Sequence, residues 1–229
     1  MQRTIRLSLW LAVPLALFIP AISALAQSGG GAAPPAGNPL ALNFKTPDPA
    51  HGKEISQSCQ GCHGVGLAST NTDIPGLAGQ HSSYTRLQLA AFRAKLRPGE
   101  VMWQQAANLS DQDIADIAAY AGGLQPGPAW KADDEAVRAK GEALFHMGDS
   151  KRNIIACAIC HGDNGRGDDR LGVASITNLS PKYGEEILHE FKNAPGYGIP
   201  HPDAMRIILR PMNDDDLKAV ATYISSMQK

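Results

Sequence analysis

The sequence is poor in aromatic residues and has no excess of charge of either sign. Phe, Trp and Tyr make up 6% of the 229 residues, so the polypeptide alone offers few large side chains for a core. Its 21 Lys and Arg against 22 Asp and Glu give a formal net charge of −1. Because nucleic-acid-binding proteins usually have a strongly basic surface, we expect no nucleic-acid partner.

The sequence also lacks strand-like alternation of apolar and polar residues over any useful length. Such alternation is typical of half-buried strands, so its absence argues against folds built on a sheet. Helical spacing of apolar residues is present instead, for example in the face formed by Ile114, Ile117 and Ala118. We therefore predict an all-α protein.

An apolar run at the N-terminus is interrupted by prolines. It follows Arg3 and Arg6, extends from Leu7 to Ile22, and precedes the small-residue segment Ala24-Leu25-Ala26. This order is typical of a secretory signal peptide, and the run is shorter than the roughly 20 residues of a transmembrane helix. We predict a cleaved signal peptide over residues 1–26, favour it over an uncleaved anchor, and expect a net charge of −1 − 2 = −3 after cleavage.

Segments rich in Pro and Gly divide the rest of the chain. Residues 27–45 are predicted to be a flexible lead-in, and residues 125–130 to be a linker between two domains. The domains then cover residues 46–124, here called the first repeat, and residues 131–229, the second repeat. Both have an ordinary domain size.

The two repeats share a Cys-x-x-Cys-His-Gly motif and a closing amphipathic helix. An acidic residue follows three positions after Ser110 in the first repeat and three positions after Asn213 in the second. A polar residue that caps a helix, with acidic residues in the first turn, stabilises a helix start. We predict that equivalent helices begin at these two residues.

The cysteines fall in two copies of one motif: Cys59, Cys62 and His63, then Cys157, Cys160 and His161. Two cysteines on one helical turn can each form a thioether with a porphyrin vinyl group, and the adjacent histidine then faces the iron. Three other uses of the cysteines fit less well. Disulfides would leave the repeated motif unexplained, and a thioredoxin-like pair would follow a strand, which the sequence does not indicate. Structural zinc needs four ligands, and each copy supplies only three. The sequence therefore predicts two covalently bound haem c groups, each with its iron.

The second axial ligand of each iron determines its chemistry. Methionine there is typical of electron-carrying cytochromes c, whereas an open position favours peroxide or oxygen chemistry. Met102 is the one methionine between His63 and the linker, and it lies eight residues before Ser110. Met205 likewise lies eight residues before Asn213, the matching helix cap. We predict Met102 and Met205 as iron ligands.

Other residues could take this position. His201, four residues before Met205, is the main alternative ligand. His81 is another, but we align it with Tyr183, which cannot replace it. Two further methionines are predicted to lie in the core and at the end of the last helix: Met212 and Met227. The remaining histidines have no counterpart in the other repeat and are predicted to be surface or capping residues: His51, His146 and His189.

A histidine that ligates a metal usually donates its other N–H to an acceptor that fixes the ring. Pro75, 12 residues after His63, offers a backbone carbonyl for this bond. Aligning residues 74–77 with residues 176–179 gives Thr177 as its counterpart, four residues further from its histidine. We therefore expect the two haems to differ in reduction potential.

These motifs resemble the dihaem cytochrome c4 family over essentially the whole chain after residue 26. The matching segments include Leu77-Ala78-Gly79-Gln80-His81 beside the first motif, and Gly141-Glu142-Ala143-Leu144-Phe145 ahead of the second. The resemblance implies two tandem class I cytochrome c domains, each wrapped around a covalent haem c, with the haems near the domain interface. The second repeat departs from the family at residues 179–183 and between Asn193 and Pro202, which leaves the predicted ligands in place.

The resemblance also implies a periplasmic protein that passes single electrons between respiratory partners, toward a terminal oxidase. We expect its donor and acceptor to be redox proteins, among them a terminal oxidase, a membrane cytochrome or a blue-copper protein. Contact with membrane complexes would be transient, with no transmembrane span after cleavage. We identify no acid–base constellation and predict no enzymatic activity. Two alternatives remain: the cytochrome subunit of a periplasmic dehydrogenase or oxidase complex, and a dihaem peroxidase, which needs one haem without a methionine ligand.

Overall fold

The computed structural model describes residues 37–196 and 200–227, except for the side chains of Pro200 and His201. The predicted signal peptide, and the predicted lead-in up to residue 36, lie outside the described residues. The described residues of both repeats belong to one compact unit.

Ten α-helices and no strand beyond isolated bridges occur in this part of the chain. The first repeat contains α1 (Pro49–Ile55), α2 (Gln60–His63), α3 (Ser82–Arg93), α4 (Glu100–Ala106) and α5 (Asp111–Gly123). The second repeat contains α6 (Glu135–Met147), α7 (Ala158–His161), α8 (Pro181–Asn193), α9 (Pro200–Leu209) and α10 (Asp214–Ser226). The helices follow one another in the same order in both repeats, and the all-α prediction is confirmed.

Helices α5 and α10 begin at reciprocal caps. The Ser110 hydroxyl accepts from the Asp113 N–H at 3.1 Å, and the Asp113 carboxylate accepts from the Ser110 N–H at 2.9 Å. Asn213 and Asp216 form the same pair at 2.9 and 3.0 Å. Each pair satisfies two N–H groups that have no partner within the helix. The predicted helix starts are confirmed.

The first and last helices of each repeat pack closely, α1 on α5 and α6 on α10. Glycine permits this approach. A Cβ atom on Gly52 would lie 2.1 Å from the Asp116 carbonyl oxygen, and one on Gly141 would lie 1.9 Å from that of Ala219. Asp116 and Ala219 each lie six residues after the helix cap of their repeat. The same helix crossing is therefore built twice.

Each repeat has an apolar cluster against which the first cysteine of its motif packs. In the first repeat Cys59 packs on a small cluster that includes buried Leu67 and Ala121. In the second repeat Cys157 packs on a larger cluster that includes Phe145 and Leu217. These clusters place apolar surface beside both cysteine motifs.

Asp216 is a buried carboxylate that joins three segments of the second repeat. Its side chain is 1% exposed and contacts Arg152 Nη1 at 2.7 Å and Lys140 Nζ at 2.9 Å. Burial alone would raise the pKa of Asp216, but the bonds from Arg152 and Lys140 outweigh it and lower the pKa to about 2. The carboxylate is therefore ionised at neutral pH and bonded on several sides.

We expect the free energy of unfolding to fall as the pH drops below about 4, because Asp216 loses its charge there. A carboxyl whose pKa is lowered by folding stabilises the protein above its unfolded pKa, and this contribution disappears as the pH falls through the folded value. Lowering the pKa from 3.8 to about 2 corresponds to about 2 kcal/mol. Asp216→Asn should therefore cost about that much at neutral pH and flatten the acid dependence, as measured by urea denaturation.

Asp214→Asn is the matched control for this measurement. Asp214 lies in the same first helical turn, but its side chain is 82% exposed and its nearest basic group, on His189, is 4.0 Å away. Exposed ion pairs contribute little to stability, so this variant should keep the acid dependence of the unmodified protein. An equally steep loss of stability in acid in Asp216→Asn would contradict the assignment.

Candidate haem-binding sites

Each Cys-x-x-Cys-His motif lies on one short helical turn, α2 or α7. The His63 N–H donates to the Cys59 carbonyl at 2.9 Å, and the His161 N–H donates to the Cys157 carbonyl at 3.0 Å. Residues four apart lie on the same side of a helix, so the first cysteine and the histidine share a face. All four cysteines are unpaired; Cys59 and Cys157 are half-buried, and the second cysteine of each motif is exposed.

Both motif histidines are buried and hydrogen-bond a backbone carbonyl through Nδ1. His63 Nδ1 lies 2.8 Å from the Pro75 oxygen, which confirms the predicted acceptor. His161 Nδ1 lies 3.0 Å from the Ala174 oxygen, so the prediction of Thr177 as the equivalent residue was wrong. With Nδ1 engaged in this way, Nε2 of each ring is the nitrogen that can bind iron.

Burial sets the protonation of these groups. It lowers the pKa of both His63 and His161, against the opposing effect of the carbonyl contacts. Both imidazoles are therefore neutral at neutral pH, the form that ligates a metal. Burial raises the pKa of the Cys157 thiol to about 11, and it also raises the pKa of Cys59. These thiols differ from the acidic thiols of thioredoxin-like motifs.

The loop after each motif has a register that the sequence alignment missed. Gly79 and Asn178 both have left-handed backbone, with φ of 74° and 64°, two residues before a helix cap. The caps are His81 for α3 and Ser180 for α8. His81 therefore corresponds to Ser180, and the alignment with Tyr183 was wrong. From the motif histidine to the cap, the second loop is one residue longer (19 positions against 18) rather than the four that the alignment with Tyr183 required.

The two predicted methionine ligands occupy equivalent helices. Met102 lies in α4 and Met205 in α9, and both are half-buried. Met205 packs against the same apolar cluster as Cys157. The other methionines that follow His161 lie deeper: Met212 is 2% exposed and Met227 is 9% exposed. Met212 is thus a core residue, as predicted.

The other histidines with described side chains lie beside protein oxygen atoms. They are His51 beside Asp116, His81 beside the carbonyl of Arg166, His146 beside Tyr223, and His189 beside Asp214. The side chain of His201, the main alternative ligand, lies outside the described residues. Each of these four imidazole rings is therefore positioned by a contact within the protein.

The residues of each repeat fit a covalent haem c. Two unpaired thiols three positions apart lie beside an apolar cluster and can form two thioethers. A neutral, buried imidazole with its Nδ1 already bonded offers Nε2, and a half-buried methionine offers its sulfur. No helix in the described part of the chain is long and apolar enough to cross a membrane.

Sequence reasoning missed the polar contact between the repeats around Arg97. Its side chain is 10% exposed and donates from Nε to Glu190 of the second repeat at 3.1 Å. It also donates to Gln88 at 2.7 Å and lies over the Phe92 ring, 4.8 Å from the centroid. No local pattern could have indicated this ion pair, because its partners are 93 positions apart.

Several known proteins are similar to this chain in sequence or in structure. The family model Cytochrome c matches residues 49–124 and 138–228. Cytochrome c4 of Thiocapsa roseopersicina is 33% identical over 201 residues, covering 86% of this chain and 97% of that protein. The thiosulfate dehydrogenase electron acceptor of Stutzerimonas stutzeri strain A1501 is 32% identical over 179 residues, covering 75% and 80%. The crystal structure of reduced recombinant cytochrome c4 from Pseudomonas stutzeri matches with a TM-score of 0.73 and 29% identity, covering 80% of this chain and 100% of that one.

Fold and site together define a c-type cytochrome with two tandem class I domains, each wrapped around a covalent haem c. Haem in such a protein cycles between ferrous and ferric iron, so the protein transfers electrons. The chain belongs to the dihaem cytochrome c4 family.

Proposed function

We propose that this protein is a periplasmic electron shuttle that takes single electrons from one redox protein and passes them to another, with no catalytic activity of its own. One observation carries the proposal: each repeat has a buried motif histidine bonded through Nδ1 and a half-buried methionine at an equivalent place, which we take as the two iron ligands. These are His63 with Met102, and His161 with Met205. With a histidine and a methionine bound, neither iron would offer a place for peroxide or oxygen.

The bound haem groups supply the one-electron chemistry, and the chain holds and tunes them. Cys59 and Cys62 are the proposed thioether residues of the first repeat, and Cys157 and Cys160 are those of the second. The carbonyls that accept from the histidine Nδ1 atoms keep each ring in one orientation. The apolar clusters beside the motifs would keep water away from the haems, so that the ligands control the potential.

The proposed partners are redox proteins, with a terminal oxidase as acceptor and a membrane cytochrome or a blue-copper protein as other candidates. Export would follow from cleavage of residues 1–26, leaving a lead-in, two domains (46–124 and 131–229) and the linker between them. The net charge of −3 after cleavage favours partners with a basic docking face, because complementary charge mainly raises the rate of encounter.

A second candidate is the cytochrome subunit of a periplasmic dehydrogenase complex. It is supported by the similarity to a protein named thiosulfate dehydrogenase electron acceptor. The electron chemistry would be the same, but the protein would co-purify with a larger partner. Gel filtration of the native extract, followed by haem absorption, distinguishes a free shuttle from a stable subunit.

Purified full-length protein should contain two haems per chain that stay attached after denaturation. Its ferric spectrum should show methionine-to-iron charge transfer from both haems, with no high-spin signal. Reduced protein should deliver electrons to an isolated terminal oxidase and show no turnover of peroxide. A high-spin haem with peroxide turnover would contradict the shuttle and support a dihaem peroxidase.

A further inference from the structure

Gln80 of the first repeat is hydrogen-bonded to the backbone of Ser175 in the second repeat. Its Nε2 donates to the Ser175 carbonyl at 2.8 Å, and its Oε1 accepts from the Ser175 N–H at 2.9 Å. Two bonds from one planar amide fix its orientation. Gln80 thus holds one particular residue of the other repeat.

The Ser175 N–H belongs to the same peptide group as the Ala174 carbonyl. That carbonyl oxygen accepts from His161 Nδ1 at 3.0 Å. One peptide group is therefore bonded at both ends, with its oxygen toward His161 and its N–H toward Gln80. Linked hydrogen bonds polarise one another, so donation to Gln80 makes the Ala174 oxygen a stronger acceptor.

We propose that Gln80 is a positioning residue for the second haem. It acts from the other repeat: Gln80 polarises the Ala174–Ser175 peptide group, and that peptide group in turn accepts a hydrogen bond from His161. A stronger acceptor at Nδ1 makes the imidazole a more basic ligand, which favours ferric iron and lowers the reduction potential. Docking of the first repeat thereby tunes the second haem. This inference rests on the proposed ligation of that haem by His161.

The contact is not made in the opposite direction. Counted from the helix caps, the counterpart of Gln80 is Leu179, whose side chain has no polar atom. The peptide group matching Ala174–Ser175 is Pro75–Gly76. Within residues 37–196 and 200–227, the Gly76 N–H donates no hydrogen bond to the second repeat. The tuning is therefore specific to the second haem, and it makes the two haems unequal.

Gln80→Leu, which introduces the residue of the other repeat, tests this inference. The Ser175 amide should exchange with solvent several-fold faster, up to about tenfold, as measured by NMR on the ferrous protein. The potential of the second haem should rise, and that of the first should move less. At neutral pH, Gln80→Glu should lower the second potential instead, because it keeps an acceptor oxygen and adds negative charge.

Ser83→Ala is the matched control. It removes a hydroxyl that donates across the interface to Asp169 at 2.8 Å and does not touch the 174–175 peptide group. It should leave the Ser175 exchange rate and the second potential unchanged. The inference would be overturned if the Ser175 amide of Gln80→Leu exchanged no faster than that of the unmodified protein. It would also be overturned if exchange were faster but the potential of the second haem were the same in Gln80→Leu as in Ser83→Ala. Failure of the proposed function would show separately, as a high-spin haem in the unmodified protein.

Discussion

Replacing Met205 by leucine should lower the reduction potential of the second haem by on the order of 0.1 V. A change of this size is a modest part of the range of about 0.8 V over which axial ligands set haem potentials. A thioether stabilises ferrous iron, and leucine keeps the volume of the side chain while removing its sulfur. The first haem should keep its potential, since Met102 is untouched. Redox titration followed by absorption measures both changes, and the methionine-to-iron charge-transfer absorption should fall by about half.

Met212→Leu is the matched control for this experiment. Met212 belongs to the apolar cluster that Met205 borders, and it is 2% exposed. We predict it to be a core residue that does not bind iron. A volume-conserving change of this kind costs less than about 1.5 kcal/mol and should leave both potentials unchanged. If Met205→Leu leaves the second potential unchanged, Met205 is not the ligand. His201→Ala would then be expected to shift it.

The features that sequence could predict are those encoded over short stretches of chain. The attachment motif needs only five consecutive residues, and the helix caps at Ser110 and Asn213 need only four. The bond from His63 to Pro75 was also predictable, because a ligating histidine needs an acceptor and the loop is short. These elements depend on local geometry, which does not change with the rest of the fold.

The alignment of the loop after His161 with the loop after His63 could not be predicted. The sequence shows how many residues the second repeat has in addition, but not where along the chain they are inserted. The alignment put four of the five added residues between His161 and Tyr183, the residue it matched to His81. The structure puts one residue between His161 and the α8 cap, and the distance from the α8 cap to Asn213 is four residues longer than its counterpart in the first repeat. Ala174 therefore takes the position that was assigned to Thr177.

The contacts between repeats were unpredictable for a different reason. Gln80 and Ser175 are 95 positions apart, and neither belongs to a periodic pattern that would mark an interface. A polar side chain at a helix start has many possible partners, so only the packed structure identifies one. The repeat itself is misleading here, because Leu179 at the equivalent position makes no such contact.

Replacing Gly141 by alanine should lower the free energy of unfolding of the second repeat by about 3 kcal/mol, at the upper end of the usual cost of overpacking. The new Cβ would lie 1.9 Å from the Ala219 carbonyl oxygen and 2.9 Å from the Tyr223 Cβ. Ala219 presents backbone, which cannot rotate aside as a flexible side chain can, so α6 and α10 have to move apart. Chemical denaturation followed by circular dichroism measures the loss.

Gly123→Ala separates this clash from the general effect of removing a helical glycine. A Cβ on Gly123, at the end of α5, would meet nothing within 4 Å. Alanine is favoured over glycine in helices by up to about 1 kcal/mol, so this variant should be as stable as the unmodified protein or slightly more stable. Gly52→Ala should behave like Gly141→Ala in the first repeat, because the Asp116 carbonyl lies 2.1 Å from its Cβ position. If Gly141→Ala proved as stable as Gly123→Ala, α6 and α10 would not cross as closely as described. In the second repeat this crossing also builds the apolar cluster against which Cys157 packs, because Phe145 of α6 and Leu217 of α10 both belong to it.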